Sequence, residues 1–150
     1  MSEAQVRALT YDDYDAWSAL WREYLAFYET TLGDTMFRTA FLRMTSGDPH
    51  EFQGLVAVKD GKLVGVTHFL MHRHGWREDN VCYLQDLYAA PEVRGQGIGR
   101  LLVEAVYAAA DAAGAPSVYW LTQQSNSVAR QLYDRIGVQT DFIKYMRKAA

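Results

Sequence analysis

Apolar side chains recur at helical spacing along two long stretches of the chain. In the first, aromatic residues three or four positions apart predict a helix over residues 11–29, with Thr10 as its N-cap. In the second, apolar residues between positions 98 and 109 follow the i, i+3, i+4, i+7 repeat of an amphipathic helix. A further helix is predicted over residues 34–45, and a fourth begins after Asn126 as its N-cap and ends near residue 136. The hydrophobic pattern therefore predicts four helices.

Runs of apolar residues, continuous or alternating with polar ones, predict six strands. They cover residues 4–9, 52–59, 62–72, 81–89, 117–122 and 141–147. Asp60 and Gly61 stand between the second and third runs, where Asp-Gly is a strong hairpin signal. The order of helices and strands predicts an α/β fold with a mixed sheet. No linker rich in Pro, Gly or Ser interrupts the sequence, so we expect one domain over residues 1–150.

Composition and charge exclude several classes of function. The 150 residues carry a net charge of −3 and no long run of like charge, so we expect no nucleic-acid partner, which requires a basic patch. No stretch approaches the roughly 18 apolar residues of a membrane span, and the first residues lack the pattern of a signal peptide. The single cysteine, Cys82, cannot form an internal disulfide. We therefore expect a cytoplasmic protein that makes no membrane contact.

Histidine spacing in the third predicted strand raises the question of a metal site. His68, His72 and His74 fall on one face of that strand, and alternate residues can ligate a metal together. No cluster of carboxylates or thiols accompanies them. We expect exposed strand histidines, no metal, and a structural role for Cys82 in core packing.

A glycine-rich segment between the fourth strand and the next helix can bind an anion. The segment reads Arg94-Gly95-Gln96-Gly97-Ile98-Gly99-Arg100. The first amides of a helix have no internal partner, the helix dipole favours negative charge there, and glycines allow close approach of a phosphate. The segment matches neither the Walker pattern nor the Gly-x-Gly-x-x-Gly dinucleotide pattern. On spacing alone, a tight turn without a ligand remains the alternative.

Three segments together resemble a known enzyme family. Arg94-x-x-Gly97-x-Gly99, preceded by a strand and Ala-Pro, resembles the acetyl-CoA-binding signature of the GNAT superfamily of N-acetyltransferases. Asn126, Ala129 and Tyr133 resemble the C-terminal motif of that family. The strand that reads Tyr83-Leu84-Gln85-Asp86-Leu87-Tyr88 resembles that of the diamine and polyamine acetyltransferases and of the related yeast histone and polyamine acetyltransferase.

The resemblance implies a fold and a cosubstrate. The implied GNAT fold has a mixed, mostly antiparallel sheet of six to seven strands, about four flanking helices, and two central strands that splay apart at the acetyl-CoA cleft. The backbone of Leu87 and Ala89 would bind the pantetheine arm, and Asn126 would lie on the helix face along the cosubstrate. The amides that would hold the pyrophosphate belong to Gly95, Gln96, Gly97, Ile98, Gly99 and Arg100. Arg94 and Arg100 would add positive charge near the phosphates.

The same resemblance implies roles in acyl transfer to a primary amine. Tyr133 would donate a proton to the departing thiol, since a phenol of pKa near ~10 is protonated at neutral pH. Its alternative role is that of a core aromatic residue. The residue that corresponds to Gln85 is a Glu, proposed as the base, in the diamine enzymes, and an amide cannot take that role. Asp86 would then deprotonate the amine through water or attract its positive charge. A β-bulge would decide to which face of the sheet the Asp86 side chain points. The alternative is that Asp86 is an ordinary carboxylate at a strand edge.

The acceptor and the partners follow less directly from the residues. Trp21 and Tyr24 would line the acceptor wall with Gln85 and Asp86, although the aromatic stripe also suits a core or a dimer surface. A small, mildly acidic chain favours a small cationic amine such as a polyamine, diamine or amino-acid derivative. A protein lysine or N-terminus is the alternative acceptor, and a non-catalytic acyl-CoA-binding domain is the alternative of another class. Because relatives often pair, we also expect a homodimer built with the last strand or the aromatic helix.

Overall fold

The computed structural model describes residues 3–149 of the chain. Four α-helices are present in this part: α1 Tyr14–Phe27, α2 Asp34–Thr45, α3 Ile98–Ala112 and α4 Ser127–Ile136. Five strands accompany them: β1 Gln5–Ala8, β2 Gln53–Lys59, β3 Lys62–His72, β4 Val81–Ala89 and β5 Ser117–Tyr119. Short 3₁₀ turns at Tyr11–Asp13 and Pro91–Val93 precede α1 and the glycine-rich segment. The four predicted helices are confirmed.

The strands form one mixed sheet in the order β1-β2-β3-β4-β5. Neighbouring strands are antiparallel except for β4 and β5, which are parallel. The predicted Asp60–Gly61 turn joins β2 to β3, with Gly61 at φ +74°. An α/β fold with a mixed, mostly antiparallel sheet is therefore confirmed.

The predicted number of six to seven strands is wrong for residues 3–149, which form five. One of the six strands predicted from the sequence is missing: residues 141–147 form no strand, because no neighbouring backbone pairs with them in the described part of the chain. The run predicted over residues 117–122 is present as β5 but ends at Tyr119. A strand needs a partner for its amides and carbonyls, and an apolar pattern by itself supplies none.

An ion pair joins the edge strand to the start of the first helix. The Arg7 guanidinium contacts the Asp13 carboxylate through two hydrogen bonds of 2.7 and 2.9 Å. Asp13 also accepts from the backbone amide of Thr10 in the capping box that begins the helical segment. Chiefly because of the Arg7 hydrogen bond, the pKa of Asp13 is lowered to about 2. Thr10 thus acts as the predicted cap, although the first turn is 3₁₀ rather than α.

Helices α1 and α3 lie on opposite faces of the sheet. A Cβ added to Gly65 in β3 would stand 2.9 Å from Ile98 Cγ2 and 3.0 Å from Leu102 Cδ1 of α3. Three residues farther along the same strand, His68 contacts Trp17 of α1. Successive residues of a strand alternate between faces, so an odd separation places these two contacts on opposite sides. Gly65 lets the beginning of α3 approach the strand closely, which positions the glycine-rich segment.

Candidate functional site

The edge of β4 that faces β5 is open over six of the nine residues of the strand. The two strands pair only between Val81–Tyr83 and Ser117–Tyr119. The amide of Ala90 donates to Val64 of β3 over 2.8 Å, and backbone groups alternate in direction along a strand. The backbone groups of Leu87 and Ala89 therefore point toward the open edge. The expected splay lies between β4 and β5, which is an edge strand in the described residues and not a central one. The Ala89 carbonyl there accepts a 3.3 Å hydrogen bond from Arg94 Nε.

The glycine-rich segment forms a cradle of free backbone amides at the beginning of α3. Gly95 and Gly97 have φ values of +81° and +79°, and a Cβ on either would meet open space. Leu101 is the first helical residue whose amide bonds back, to the Gly97 carbonyl over 3.0 Å. Within residues 3–149, the amides of Ile98, Gly99 and Arg100 have no protein acceptor. This cradle fits the diphosphate of a nucleotide cosubstrate, because an anion satisfies the free amides and complements the helix dipole.

The polar side chains beside the cradle are exposed and engaged with neighbours. Arg94 also lies over the ring of Tyr88, at 5.5 Å from its centroid. Arg100 Nε donates to Glu104 over 2.8 Å, and Gln96 accepts from Lys59 Nζ. Both arginines thus lie next to the cradle, each with a protein partner, and their predicted role near the phosphates stays a prediction.

A β-bulge at Gln85 divides β4 into two parts. The register against β3 shifts between the pairs His68–Asp86 and Phe69–Leu84, so Gln85 has no opposite residue. Leu84 belongs to the apolar cluster with Val103 and Val106 of α3, whereas Asp86 contacts His68 on the α1 face. Residues two apart in a regular strand share a face. The bulge therefore turns Asp86 away from α3 and leaves Gln85 exposed.

Asp86 is a buried carboxylate held by a chain of hydrogen bonds. Its Oδ2 lies 2.8 Å from His68 Nδ1, and His68 Nε2 lies 2.9 Å from Trp17 Nε1. An indole N–H only donates, so His68 Nε2 accepts and the single imidazole proton resides on Nδ1. His68 is therefore neutral and donates to Asp86. This arrangement fixes the direction of the carboxylate without placing a positive charge behind it.

The expectation of exposed strand histidines is wrong for His68, whose residue is only 3% exposed. Its burial depends on Trp17, which lies 51 residues earlier and stacks on Trp21 at 5.1 Å. His72 and His74 are half-buried. No group of three or more His, Cys, Asp or Glu side chains suited to a metal ion occurs in the described residues. Cys82 is fully buried in the core, and burial raises the pKa of its thiol to about 11.

Three tyrosines converge at the open edge of β4. Burial, followed by the influence of Tyr28, raises the pKa of Tyr133 to about 12. Burial also raises the pKa values of Tyr24 and Tyr28, and for both of them the Asp86 carboxylate adds to the shift. All three phenols are thus protonated at neutral pH. They border a cavity of about 250 Å³, whose lining residues are Tyr24, Tyr28, Leu84, Gln85, Leu87, Trp120, Leu121 and Tyr133.

Helix α4 positions Tyr133 beside this first cavity. The Asn126 side chain accepts from the Ala129 amide over 3.4 Å and caps the helix, as the sequence predicts. The Tyr133 ring meets the Trp120 ring edge-on, with centroids 5.5 Å apart. Leu132 lies where a Cβ on Gly99 would contact it at 3.3 Å, so α4 packs next to the glycine cradle. The helix therefore brings a phenol and the free amides to one side of the molecule.

A second cavity of about 430 Å³ lies on the α1 and α2 side of β4. Its lining residues are Trp21, Met36, Ala40, Arg43, Met44, Phe52, His68, Gln85 and Asp86. The predicted acceptor wall is thus divided, because Trp21 lines this second cavity whereas Tyr24 lines the first. Gln85 lines both, so the two cavities are neighbours across the bulge.

The structure places Gln85 between Asp86 and Tyr133 at the two cavities, and α4, which carries Tyr133, beside the glycine cradle. Sequence reasoning missed the hydrogen bonds that hold the Asp86 carboxylate. Trp17 and His68 lie far apart in the sequence, and no local motif joins them. The only available signal was that Trp17 stands in the aromatic stripe of α1 and His68 in an otherwise apolar strand. A buried polar side chain in such a strand requires a partner.

Comparisons with known proteins agree with this geometry. The pattern of the family described as "Acetyltransferase (GNAT) family" matches residues 14–138. The D-amino-acid N-acetyltransferase HPA3 of Saccharomyces cerevisiae is 37% identical over 145 residues, which cover 95% of this chain and 89% of that protein. The thialysine N-epsilon-acetyltransferase of Bos taurus is 30% identical over 107 residues, covering 71% of this chain and 59% of that protein.

Solved structures support the fold. AAC(6')-Iy in complex with the bisubstrate analogue CoA-S-monomethyl-acetylneamine has a TM-score of 0.85 at 17% identity, with 99% of this chain and 100% of that chain covered. A probable acetyltransferase has the same TM-score at 22% identity, with 97% and 98% covered. At such identities the similarity concerns the fold alone.

Proposed function

Since this chain belongs to the acetyltransferase (GNAT) family and uses acetyl-CoA as its cosubstrate, we propose that it acetylates the primary amine of a small cationic molecule. One observation carries the proposal. A buried carboxylate, Asp86, and a protonated phenol, Tyr133, border two cavities that meet at Gln85 beside the open edge of β4. Such a pair can accept a proton on the amine side and donate one on the thioester side.

The chain holds the cosubstrate chiefly through its backbone. Acetyl-CoA supplies an acetyl group activated as a thioester. We assign its diphosphate to the free amides of the glycine-rich segment, without that of Gln96, which donates to the Val93 carbonyl over 3.2 Å. We assign its pantetheine arm to the backbone groups of Leu87 and Ala89 at the open edge. Arg94 and Arg100 add positive charge beside the phosphates. In this structure the side chain of Asn126 caps α4, so we assign that residue a positioning role.

Two proton movements accompany the transfer. The acceptor nitrogen bonds to the acetyl carbon as the carbon–sulfur bond breaks, so nitrogen loses a proton and sulfur gains one. Before the transfer, Asp86 attracts the ammonium form of the acceptor and takes up its first proton, which passes to solvent and leaves a neutral, nucleophilic amine. During the transfer the same carboxylate takes up the second proton, which nitrogen loses as the amide forms. Tyr133 donates a proton to the departing sulfur, and exchange with solvent restores both groups. Tyr24, whose pKa is raised by burial and further by the nearby Asp86 charge, keeps its own proton.

The amine class follows from the charge of the site and the character of the relatives. The carboxylate of Asp86 favours a cationic acceptor over a neutral one. The two curated relatives named above carry names that refer to amino acids, D-amino acids in one and thialysine in the other. Both observations support a small amine, whether polyamine, diamine or amino-acid derivative, rather than a protein lysine.

The experiment is an acceptor screen. Purified protein is mixed with acetyl-CoA and a panel of diamines, polyamines, amino acids and lysine peptides, and release of the free thiol is followed, with an acceptor-free sample as the blank. We expect saturable turnover with at least one small amine. Saturation by peptides alone would overturn the small-amine assignment. Tight CoA binding in calorimetry without turnover on any amine would favour the non-catalytic alternative.

We also propose a homodimer built with the C-terminal segment. Residues 138–146 carry five large apolar side chains that are 76–90% exposed: Val138, Phe142, Ile143, Tyr145 and Met146. In the described part of the chain, β5 pairs with β4 alone, so its other edge is free. An exposed apolar segment and a free strand edge on one chain suit a second copy of that chain.

Light scattering tests the dimer. We expect a mass of twice 17.1 kDa for the wild type and a monomer for Phe142→Asp combined with Tyr145→Asp. A monomeric wild type would overturn the proposal. No helix in residues 3–149 is long and apolar enough to cross a membrane. The cytoplasmic location expected from the single cysteine stays a prediction.

A further inference from the structure

The indole N–H of Trp21 is buried without a partner. The residue is 7% exposed, and Trp21 Nε1 has no hydrogen-bond acceptor in the described part of the chain. The stacked Trp17 differs, since its Nε1 donates to His68. Buried polar groups nearly always have partners, because an unsatisfied one loses its hydration without compensation. Because an indole only donates, the missing partner of Trp21 is a hydrogen-bond acceptor.

The second cavity, which Trp21 lines, also has a cation at its rim. Arg43 of α2 lines it, is exposed to solvent, and within residues 3–149 its guanidinium makes no ion pair and no hydrogen bond. Asp86 lines the same cavity from β4. The helical wall therefore offers a positive charge and an N–H donor, and the sheet wall offers a carboxylate. The remaining walls are largely apolar, formed by Met36, Ala40, Met44 and Phe52.

This distribution complements a zwitterion better than a polycation. The amino group of a zwitterion faces Asp86, while its acid group accepts from Trp21 Nε1 and Arg43, which can bind a carboxylate through two parallel N–H groups. A diamine or polyamine would bring a second ammonium toward Arg43 and leave the indole unsatisfied. The apolar walls suit a small aliphatic or thioether side chain.

We propose that the acceptor is an amino acid, and that Arg43 and Trp21 form a subsite for its carboxylate. This inference rests on the proposed acetyl transfer and names the chemical class that the acceptor cavity selects. Arg43 and Trp21 are specificity residues here, since they touch the acid group and not the reacting nitrogen.

A matched pair of acceptors tests the subsite. Methionine and methioninamide share a shape and an amino group, but only the former carries an acid, and both enantiomers of each are compared. The amine of the amide is the weaker base and is more often neutral, so chemistry alone favours the amide. We expect the wild type to prefer methionine by at least tenfold in kcat/KM, against that bias.

Variants then assign the preference to the residues. Arg43→Gln is expected to remove most of the preference through a higher KM for methionine, with the kinetics of methioninamide unchanged. Arg43→Lys should retain part of it, and Trp21→Phe, which keeps the ring and removes the N–H, should reduce it several-fold. Arg38→Gln is the control, because Arg38 lies on the same helix over the ring of Tyr14 and does not line the cavity.

The outcomes separate this inference from the proposed function. Turnover of the amide or of putrescine equal to that of methionine, with no effect of Arg43→Gln on the ratio, would overturn the subsite and leave the acetyltransferase intact. Absence of turnover with every amine would instead overturn the proposed function itself.

Discussion

The two sides of the β4 bulge differ in the chemical groups that they present, backbone groups on one side and side chains on the other. On the proposed cosubstrate side, the binding groups are backbone amides and carbonyls: the cradle that begins α3 and the open edge at Leu87 and Ala89. On the proposed acceptor side, the binding groups are side chains that come from α1, α2, β3 and β4. We expect the first surface to tolerate changes in side chains as long as its glycines remain. The second depends on particular side chains that meet only in the folded protein.

The largest effect should come from the acceptor side. Asp86→Asn keeps the size of the side chain and can still accept from His68, but it cannot take up a proton. We expect kcat/KM for the amine to fall by roughly 10²- to 10⁴-fold, the range of general acid–base catalysis, with CoA affinity unchanged. Steady-state kinetics and calorimetry measure the two quantities.

The matched control for this change is Asp134→Asn. Asp134 is exposed on α4 next to Tyr133 and lines neither cavity. Its replacement is expected to leave turnover within twofold of the wild type. An Asp86→Asn enzyme that keeps more than a third of the wild-type rate would show that this carboxylate is not the base.

The next effect tests the backbone side. Gly97→Val places a branched side chain in the cradle and at a positive φ, so we expect the Kd for CoA to rise roughly 10- to 100-fold, equivalent to about 1.4–2.8 kcal/mol. Gly114→Val is the control, because Gly114 has φ +71° and open space at the other end of α3. The two variants share the backbone strain, so equal CoA affinities would contradict the cradle assignment.

These two sides also explain how much of the site the sequence could predict. The cradle was predictable because residues 94–100 are contiguous and their pattern acts through local backbone geometry. Tyr133 was predictable because α4 is regular and its cap, Asn126, is local. The contact of Trp17 with His68 spans 51 residues, and the separation of Trp21 from Tyr24 into two cavities depends on packing between elements. Periodicity places residues on a face but does not say which partner covers that face.

The C-terminal segment illustrates a further limit. Residues 141–147 have the composition of a strand, yet they pair with no strand in the described part of the chain. Strand formation depends on a neighbour, and no property of the segment itself reports whether that neighbour exists.

A smaller effect is expected at the junction between the two sides. Tyr133→Phe removes the proton donor, but a thiol of pKa about 8.5 can leave as a thiolate, so we expect a fall of about tenfold in kcat with little change in KM. Tyr107→Phe is the control, because that hydroxyl donates to the Ile136 carbonyl outside both cavities. Equal rates for Tyr133→Phe and the wild type would remove the donor role.

The pH dependence sharpens the Tyr133 prediction. With its pKa raised to about 12, the phenol stays protonated as the pH rises from 7 to 10. The ratio of wild-type to Tyr133→Phe rates should therefore remain constant over that range, since changes in amine ionisation cancel in the ratio. A ratio that falls toward one near pH 10 would indicate a phenol with an ordinary pKa.

The smallest effect is expected at Asp13, which lies before α1 and lines neither cavity. Asp13→Asn removes the ion pair with the half-exposed Arg7, so after allowance for solvent screening we expect a loss of about 1 kcal/mol and a fall in Tm of roughly 2–4 °C, without loss of activity. The pKa of Asp13 is lowered to about 2, so its contribution is complete above pH 4 and disappears as the pH falls through 2. Thermal melts of both proteins between pH 2 and 7 should converge at the acid end.

The extra residue in β4 also bears on how such a protein could gain or lose activity during evolution. Leu84 and Asp86 already face opposite sides of the sheet, so deletion of Gln85 would leave both in an unbroken alternation and keep Asp86 beside His68. The strand would lose its bend and lie closer to β5, narrowing the slot for the pantetheine arm. We therefore expect loss of this single codon to abolish use of the thioester while Asp86 and Tyr133, the proposed proton-transferring side chains, remain in place.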